Sequence, residues 1–551
     1  LSSFNITDSN KKTFCVDEAL CGLVRASGGL ALLRGHRVVL RSDPSNLRGK
    51  VALLSGGGSG HEPAHGGYVG AGMLSAAVAG GVFASPPPAS ILAAVLALHD
   101  AGASGVLLIV KNYTGDRLNF GLAAEQARNH GVAVDMVIVA DDCAFDQPSK
   151  AGRRGLCGTV LIHKLAGALA EEGRSLDQIV SKMTEVLKGI GTLGVSLSPC
   201  SVPGCRPSFD LPPGDMELGL GIHGEPGIKR SKVASADEVV KAMLDHMTNP
   251  ASQSHLPLTT GDTVVLCVNN LGALSCLEMA VVTRAAINSL ENRGVAVART
   301  MSGSFMTSLE MAGVSLTLMK ADPETLRLFD TKTGAPAWPN LSAASVSGRD
   351  YVTDPPTSST NCNMRTGKIC STLLEKQEEL NSLDRAAGDG DCGNTHAQAA
   401  RAVREWLQGH AVPGRPGEML SALAGLVQEK MGGSSGALYS LFLTAAAGHM
   451  TDGRSDAAAW AGAVHAGTQA MSRYGGAEPG DRTMVRQKHG KHEKFRLFNL
   501  SASGAEATRS LTARAGRASY IAAERVTQPD PGAVAVAAIF RAVLETLQEQ
   551  E

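Results

Sequence analysis

The chain has 551 residues, too many for a single core at roughly 100–200 residues per domain, so two to four domains and a large buried interior are expected. Hydrophobic residues make up 43% and charged ones 19%, ordinary globular values that exclude a disordered chain, while 63 glycines against 4% aromatics point to tight loops and Ala/Gly-rich helices. The 51 basic and 52 acidic residues nearly cancel, so no global field draws the chain to nucleic acid or to an anionic membrane, and any partner must be recognised locally.

The sequence opens on Leu1, and the stretch LSSFNITDSNKK holds no apolar signal core, so the visible chain carries no address. Eleven cysteines without a CxxC pair read as a reduced, cytosolic set. Up to about Ser347, short apolar, β-branched runs end in Gly-rich or polar loops: VALLSGGGSG (51–60), GVLLIVKNYTGD (105–116), VDMVIVADD (134–142), MELGLGIHGEPG (216–227), DTVVLCVNNLG (262–272) and VSLTLMKAD (314–322). Helix-length Ala/Leu segments separate most of them. That alternation predicts α/β layers with largely parallel strands, whose ligands bind at the carboxyl ends of the strands. Between Gly66 and Leu98 no residue is charged, a length sufficient to span a bilayer. Pro86-Pro87-Pro88 and the repeated glycines break it, and two short helical pieces around a proline turn, buried in an α/β domain, are expected instead.

Three strand-end loops offer chemistry. The loop Gly56-Gly57-Gly58-Ser59-Gly60-His61-Glu62-Pro63 can cradle a small polar ligand while presenting His61, and Lys111 to Asp116 adds a cation and a carboxylate. A His–Asp couple can accept a hydroxyl proton and so activate a nucleophile, although a lone strand-end histidine is more often a satisfied hydrogen-bonding residue. The third loop, Gly219-Leu220-Gly221-Ile222-His223-Gly224, formally matches GxGxxG. Pro226 and Gly227 stand where a helix should begin, so a dinucleotide site is rejected. The glycines leave space around His223, whose imidazole can add to a ketone or aldehyde carbon.

Residues 346–365, rich in Ser, Thr, Pro and Asn, read as a linker between an α/β domain (1–345) and an all-α domain (366–551). In the latter, Leu420, Leu423, Leu426 and Val427, and then Val536, Ile539, Phe540, Val543 and Leu547, recur at helical steps. Asp384, Asp389 and Asp391 crowd a Gly-rich turn where all-oxygen ligands suit Mg²⁺ with nucleotide phosphates; alone, the turn fits a solvated acidic loop equally well. Gly432-Gly433-Ser434-Ser435-Gly436 ahead of a helix can hold phosphate on its N–H groups or be an ordinary N-cap. There is no GxxxxGK[ST] P-loop, yet phosphoryl transfer needs mainly positioning and charge neutralisation, available on any scaffold.

Taken together and in order, GGGSGHEP, KNYTGD, LGLGIHGE, DRAAGDGDCG, MGGSSGALY, PGDRTM, GRASY and QPDPGA cover nearly the whole chain, and the sequence strongly resembles the ATP-dependent dihydroxyacetone kinases, in detail their animal bifunctional members. The resemblance implies a cytosolic homodimer. Its first domain, of two α/β subdomains, would bind dihydroxyacetone or glyceraldehyde, and its second, an antiparallel helical barrel, ATP. By motif, His223 would form a covalent hemiaminal with the substrate carbonyl. Gly57, Gly58, Ser59, Gly60, His61, Lys111 and Asp116 would line the substrate pocket, with His61 and Asp116 as the acid/base pair. Asp384, Asp389 and Asp391 would hold Mg²⁺. The nucleotide would meet Asp389, Gly390, Asp391, Cys392, Ser434, Ser435, Arg482, Thr483, Met484, Arg517, Asp530, Pro531 and Gly532. The animal members also split FAD into AMP and riboflavin cyclic 4′,5′-phosphate, favouring Mn²⁺ or Co²⁺. One departure stands out. After Met484 the family continues with a helix-rich amphipathic stretch, whereas VRQKHGKHEKFRLFNLSASG (485–504) is basic and reaches the GRASY motif early. A barrel helix is therefore expected to be lost or replaced within 485–515, as an alternative transcript or a gene-model error would produce. The alternative functional reading is a catalytically impaired isoform with a regulatory or interaction role.

Overall fold

The run VALLSGGGS becomes a central strand buried along its whole length, as a strand covered on both faces must be. It belongs to a sheet of β1 (Leu30–Leu32), β2 (Val38–Arg41), β3 (Val51–Ser59), β4 (Ala76–Val82), β5 (Gly105–Lys111) and β6 (Val134–Val139), in the order β1-β2-β4-β3-β5-β6. β3 pairs in parallel with both β4 and β5, and β5 with β6, so the carboxyl ends of four strands open on one edge. A second sheet contains β7 (Ile190–Ser196), β8 (Asp215–Leu218), β9 (Lys229–Lys232), β10 (Thr263–Asn270), β11 (Ala296–Gly303) and β12 (Gly313–Lys320), in the order β11-β10-β12-β7-β8-β9.

The structure is a computed structural model that describes residues 15–203, 205, 207, 209–352, 368–386, 389–409, 413–450, 456–475, 481, 503–513 and 527–548. By its contacts the chain forms two units, Leu1–Val352 and Thr353–Glu551. In the first unit the helix Gly158–Glu171 is largely apolar and buried from Gly158 to Ala170, His163 and Lys164 included. Val160, Leu161, Ile162 and Leu165 share one core with Leu53, Leu107 and Ile109 of the first sheet and Val265, Met301 and Met319 of the second. A helix covered on every side is the expected home of such a sequence, and each large side chain so buried contributes about 1.5–3 kcal/mol.

Two expectations need correction. Within Gly66–Leu98 only the second half is a long helix, Pro88–Asp100, with Pro88 in its first turn; Ala76–Val82 is strand β4, hydrogen-bonded to β3 and β2. The bare backbone of Gly56 on β3 lets β4 lie close: a Cβ there would fall 2.2 Å from the Val78 carbonyl oxygen. Parallel pairing dominates the first sheet but not the second, where β10 and β11 pair in parallel and the other neighbours are antiparallel. The second unit is helical. Lys368–Glu375, Gln377–Arg385, Cys392–Gly409, Pro416–Lys430, Gly433–His449, Ala457–Gly475 and Pro531–Gln548 pack through small apolar clusters such as Leu380, Cys392 and Ala535.

Candidate active site

In the first unit the loops after β3, β4, β5 and β8 meet. Near the end of β3 a Cβ at Gly58 would stand 2.7 Å from the Ala84 backbone nitrogen, and Gly60 takes φ +106°, a conformation open to glycine. The chain then presents His61, wholly buried. Its Nδ1 lies 2.8 Å from the Thr307 carbonyl oxygen, which can only accept, so Nδ1 carries the proton and Nε2 keeps its lone pair. Among the described residues that Nε2 has no hydrogen-bond partner. Burial first, then the charges of Lys111 and His223, push the His61 pKa well below the usual imidazole range, so the ring is neutral at pH 7.

Thr307 also stitches this loop to the second sheet: its N–H donates to the His61 carbonyl (3.2 Å) and its Oγ1 to the Glu62 carbonyl (2.8 Å), while the Leu309 N–H donates to the Gly60 carbonyl (2.9 Å). Phe83, at the end of β4, adopts φ +54°, which for a residue with a side chain costs about 1–3 kcal/mol. The strain directs its ring onto His61, stacked at 5.1 Å.

Lys111 closes β5, fully buried, with Nζ making no hydrogen bond among the described residues and standing 5.6 Å from the Tyr113 ring centre. Burial lowers its pKa, against the opposing pull of Asp116, Glu225 and Asp141. Asp116, in the first turn of the helix Thr114–Asn129, accepts from Ser85 Oγ at 2.5 Å. Lys111 Nζ and Asp116 Oδ2 both lie 3.5 Å from the point a Gly57 Cβ would occupy, so Gly57, Lys111 and Asp116 share one corner.

His223 enters on the loop after β8. Its ring meets Tyr113 at 4.6 Å, His61 at 4.9 Å and Phe83 at 5.2 Å, each edge-on. Glu225 accepts from His223 twice, from Nδ1 at 3.1 Å and from the backbone N–H at 3.0 Å. Burial would raise the Glu225 carboxyl, but the hydrogen bond and charge of His223 outweigh it and hold the pKa at about 2. The His223 side chain is 20% exposed, so ligand can reach it from solvent.

Of the residues expected at this site, Gly57, Gly58, Gly60, His61, Lys111, Asp116 and His223 come together. Ser59 differs in its side chain: Oγ donates to the Gly80 carbonyl (3.0 Å) and braces β3 on β4. Sequence reasoning missed Phe83, Ser85, Tyr113, Glu225 and Thr307. Tyr113 and Glu225 stood within quoted motifs, whereas Phe83 and Ser85 were hidden in the uncharged stretch read as helix.

In the second unit Asp384, Asp389 and Asp391 each offer an oxygen, all within 4.8 Å of one another. Asp384 also shapes its own loop: Oδ2 accepts from the N–H groups of Gly390 (3.0 Å), Asp391 (3.0 Å) and Cys392 (3.2 Å). Three carboxylates this close repel unless a cation lies among them, and an all-oxygen set suits Mg²⁺, so the residues fit the ion. Burial, then Asp384, Asp530, Asp391 and Asp389, push the Cys392 thiol up to about 12, which brings Asp530 into the same field. Asp530 Oδ2 accepts from the Ala533 N–H (2.8 Å), capping the helix that begins Pro531-Gly532. His396, one turn beyond Cys392, meets Tyr439 OH at 3.2 Å, on the helix whose first turn carries Ser434 and Ser435. Arg482, Thr483, Met484 and Arg517 lie outside the described residues, as does 485–515 apart from 503–513.

The Dak1 domain model matches residues 21–337 and the DAK2 domain model residues 386–545. The chain belongs to the dihydroxyacetone kinase family. It is 53% identical to the triokinase/FMN cyclase of Homo sapiens over 98% of this chain and 99% of that protein. The crystal structure of the dihydroxyacetone kinase of C. freundii in its native form is 34% identical, covering 97% of this chain and 98% of that one with a TM-score of 0.66. The same enzyme in complex with AMP-PNP and Mg²⁺ gives a TM-score of 0.65 at 33% identity.

Proposed function

We propose that the protein transfers the γ-phosphoryl group of ATP to dihydroxyacetone and glyceraldehyde. The observation that carries this reading is the meeting of His223 with His61 and with Tyr113, which Lys111 Nζ also faces, His61 Nε2 and Lys111 Nζ having no hydrogen-bond partner among the described residues. His223 Nε2 attacks the substrate carbonyl carbon, the C=O π pair becomes the oxygen's, that oxygen takes a proton from solvent while the ring gives up its Nδ1 proton by way of Glu225, and the small ligand is held as a hemiaminal. Lys111 supplies positive charge beside the substrate oxygens. His61 Nε2, with Asp116, takes the hydroxyl proton as that oxygen attacks the γ-phosphorus and ADP leaves. Gly57, Gly58, Ser59 and Gly60 form the pocket wall.

Asp384, Asp389 and Asp391 would hold Mg²⁺, which neutralises phosphate charge when bound. Gly390, Cys392, Ser434, Ser435, Asp530, Pro531 and Gly532, with Arg482, Thr483, Met484 and Arg517, form the nucleotide side of this proposal. Residues 1–345 serve as the substrate domain, 346–365 as the linker and 366–551 as the nucleotide domain.

A second activity fits the same nucleotide site. In FAD the ribityl 4′-hydroxyl attacks the riboflavin-side phosphorus and AMP departs, leaving riboflavin cyclic 4′,5′-phosphate; Mn²⁺ or Co²⁺ is the proposed metal. The human relative's name, triokinase/FMN cyclase, supports this pairing. A cytosolic homodimer is part of the proposal, the first supported by the cysteine pattern. Among the described residues no helix is long and apolar enough to cross a membrane.

The test is direct: purified chain with Mg-ATP and dihydroxyacetone should release ADP, and with FAD and Mn²⁺ should release AMP. Absence of ADP release, together with no rise in melting temperature on adding Mg-ATP, would sink the kinase reading.

A further inference from the structure

Something must hold Glu225 while it holds His223. The loop Gly221–Glu225 turns back on itself, the Gly221 N–H reaching the Glu225 carbonyl at 3.3 Å, with Gly224 at φ +79°. Its carboxylate rests over the bare backbone of Gly221: a Cβ there would lie 1.9 Å from Glu225 Oε2 and 2.8 Å from Arg154 Nη1. Glu225 and the Arg154 guanidinium therefore flank one glycine, and the positive charge of Arg154 is among the influences that keep Glu225 ionised.

Arg154 is fixed from two directions. Its Nε donates to Asp142 Oδ2 at 2.6 Å, just beyond β6 of the first sheet, and its Nη2 donates to the Gly219 carbonyl at 2.7 Å, where the histidine loop leaves β8 of the second. The pair is deep, with side chains 13% and 1% exposed. Asp142 is itself pinned by its N–H to the Arg154 carbonyl (3.1 Å), by the Ala144 N–H on Oδ1 (2.9 Å) and by Arg153 Nε on its carbonyl (2.7 Å). A buried ion pair brings little net stability, because desolvation consumes most of the Coulomb gain, so one built beside a reactive histidine calls for another explanation.

We propose that Asp142 and Arg154 act through Glu225 as positioning residues that fix the ring and the tautomer of His223. The carboxylate accepts from Nδ1–H, so the nucleophilic lone pair stands on Nε2; Arg154 keeps the carboxylate from turning away, and Asp142 ties the assembly to the opposite sheet. This rests on the reading of His223 as the carbonyl-binding residue.

The test follows the rate at which dihydroxyacetone adds to the protein, by intact mass under non-denaturing conditions, for Arg154→Gln, Glu225→Gln, Gly221→Ala and His223→Ala. Arg154→Gln should slow addition about 10–100-fold, the usual scale for losing an orienting neighbour, with KM for ATP unchanged. Gly221→Ala removes no charge but displaces the carboxylate, and should slow addition likewise, which covers the case of an Arg154 variant that does not fold. Ring-¹⁵N spectra, assigned by the His223→Ala difference, should show Nδ1–H in the parent and a mixed tautomer in Glu225→Gln. Parent-like addition rates in folded Glu225→Gln and Gly221→Ala, with His223→Ala inert, would overturn the positioning role alone. Addition that survives in His223→Ala would instead remove the functional reading beneath it.

Discussion

The imidazole of His223 stands edge-on to that of His61, ring centres 4.9 Å apart and planes at 76°, each ring with its Nδ1 engaged by an oxygen acceptor. Two histidines oriented by the same nitrogen leave both Nε2 atoms for a ligand, one suited to attack carbon and the other to take a proton. The division of labour predicts separable defects. His223→Ala should abolish the mass adduct with dihydroxyacetone, while His61→Gln should retain the adduct and lose phosphoryl transfer by about 100-fold or more, the usual scale for a positioned base. Equal loss of both readouts in His61→Gln would contradict it.

Stability should fall on mild acidification. His61, His65 and His163 are each buried, and burial is the main cause of pKa values far under the usual range, with His163 brought to about 3. Unfolded, each titrates near 6.5, so below that pH the unfolded chain binds protons that the folded one refuses. Stability is thus full above about pH 6.5 and declines by up to about 1.4 kcal/mol per pH unit for each such ring as pH falls. Urea melts at pH 7.5, 6.5 and 5.5 check this, and His163→Phe should show the shallower slope.

Within the acidic loop the three aspartates should not behave alike. Asp384→Ala strips three N–H groups of their acceptor and should cost the second unit about 1–2 kcal/mol even without metal. Asp389→Asn and Asp391→Asn remove like-charge repulsion, so the metal-free melting temperature should hold or rise while the increase on adding Mg-ATP disappears. Differential scanning fluorimetry with and without Mg-ATP separates the two patterns.

At Gly58, space rather than torsion is decisive. Gly58→Ala drives a methyl group against the Phe83–Ala84 backbone, 2.7–2.9 Å away. Moving that turn displaces the Phe83 ring from His61, so the variant should lose about 1–3 kcal/mol and also bind dihydroxyacetone more weakly. A thermal melt paired with a substrate titration measures both.

Much of the pocket was legible because its residues sit where strands end. Gly-rich segments after apolar runs marked His61, Lys111 with Asp116, and His223 as outward-facing groups at the edge of a sheet. What the sequence hid follows from its chemistry. Ala76–Val82, AAVAGGV, has no polar alternation because it is covered on both sides, and an uncharged strand joined to prolines looks like broken helix. Phe83 and Ser85 were lost with it. Glu225 was quoted but given no role, since nothing in one dimension says that a carboxylate two residues along will turn back onto an imidazole. The antiparallel second sheet was likewise invisible: pairing direction depends on how connections return, and buried strands look alike in either sense.

The bonds from Thr307 and Leu309 to the Gly60–Glu62 loop make the pocket an interface folded within one chain. On the proposed reading one sheet brings the proton acceptor and the cation, the other brings the nucleophile, and neither half would capture substrate alone. Carbonyl capture is therefore a reporter of cooperativity. In a denaturant series the adduct should vanish in the same transition that releases either sheet, and a form with only one sheet intact should be chemically silent however native its spectrum.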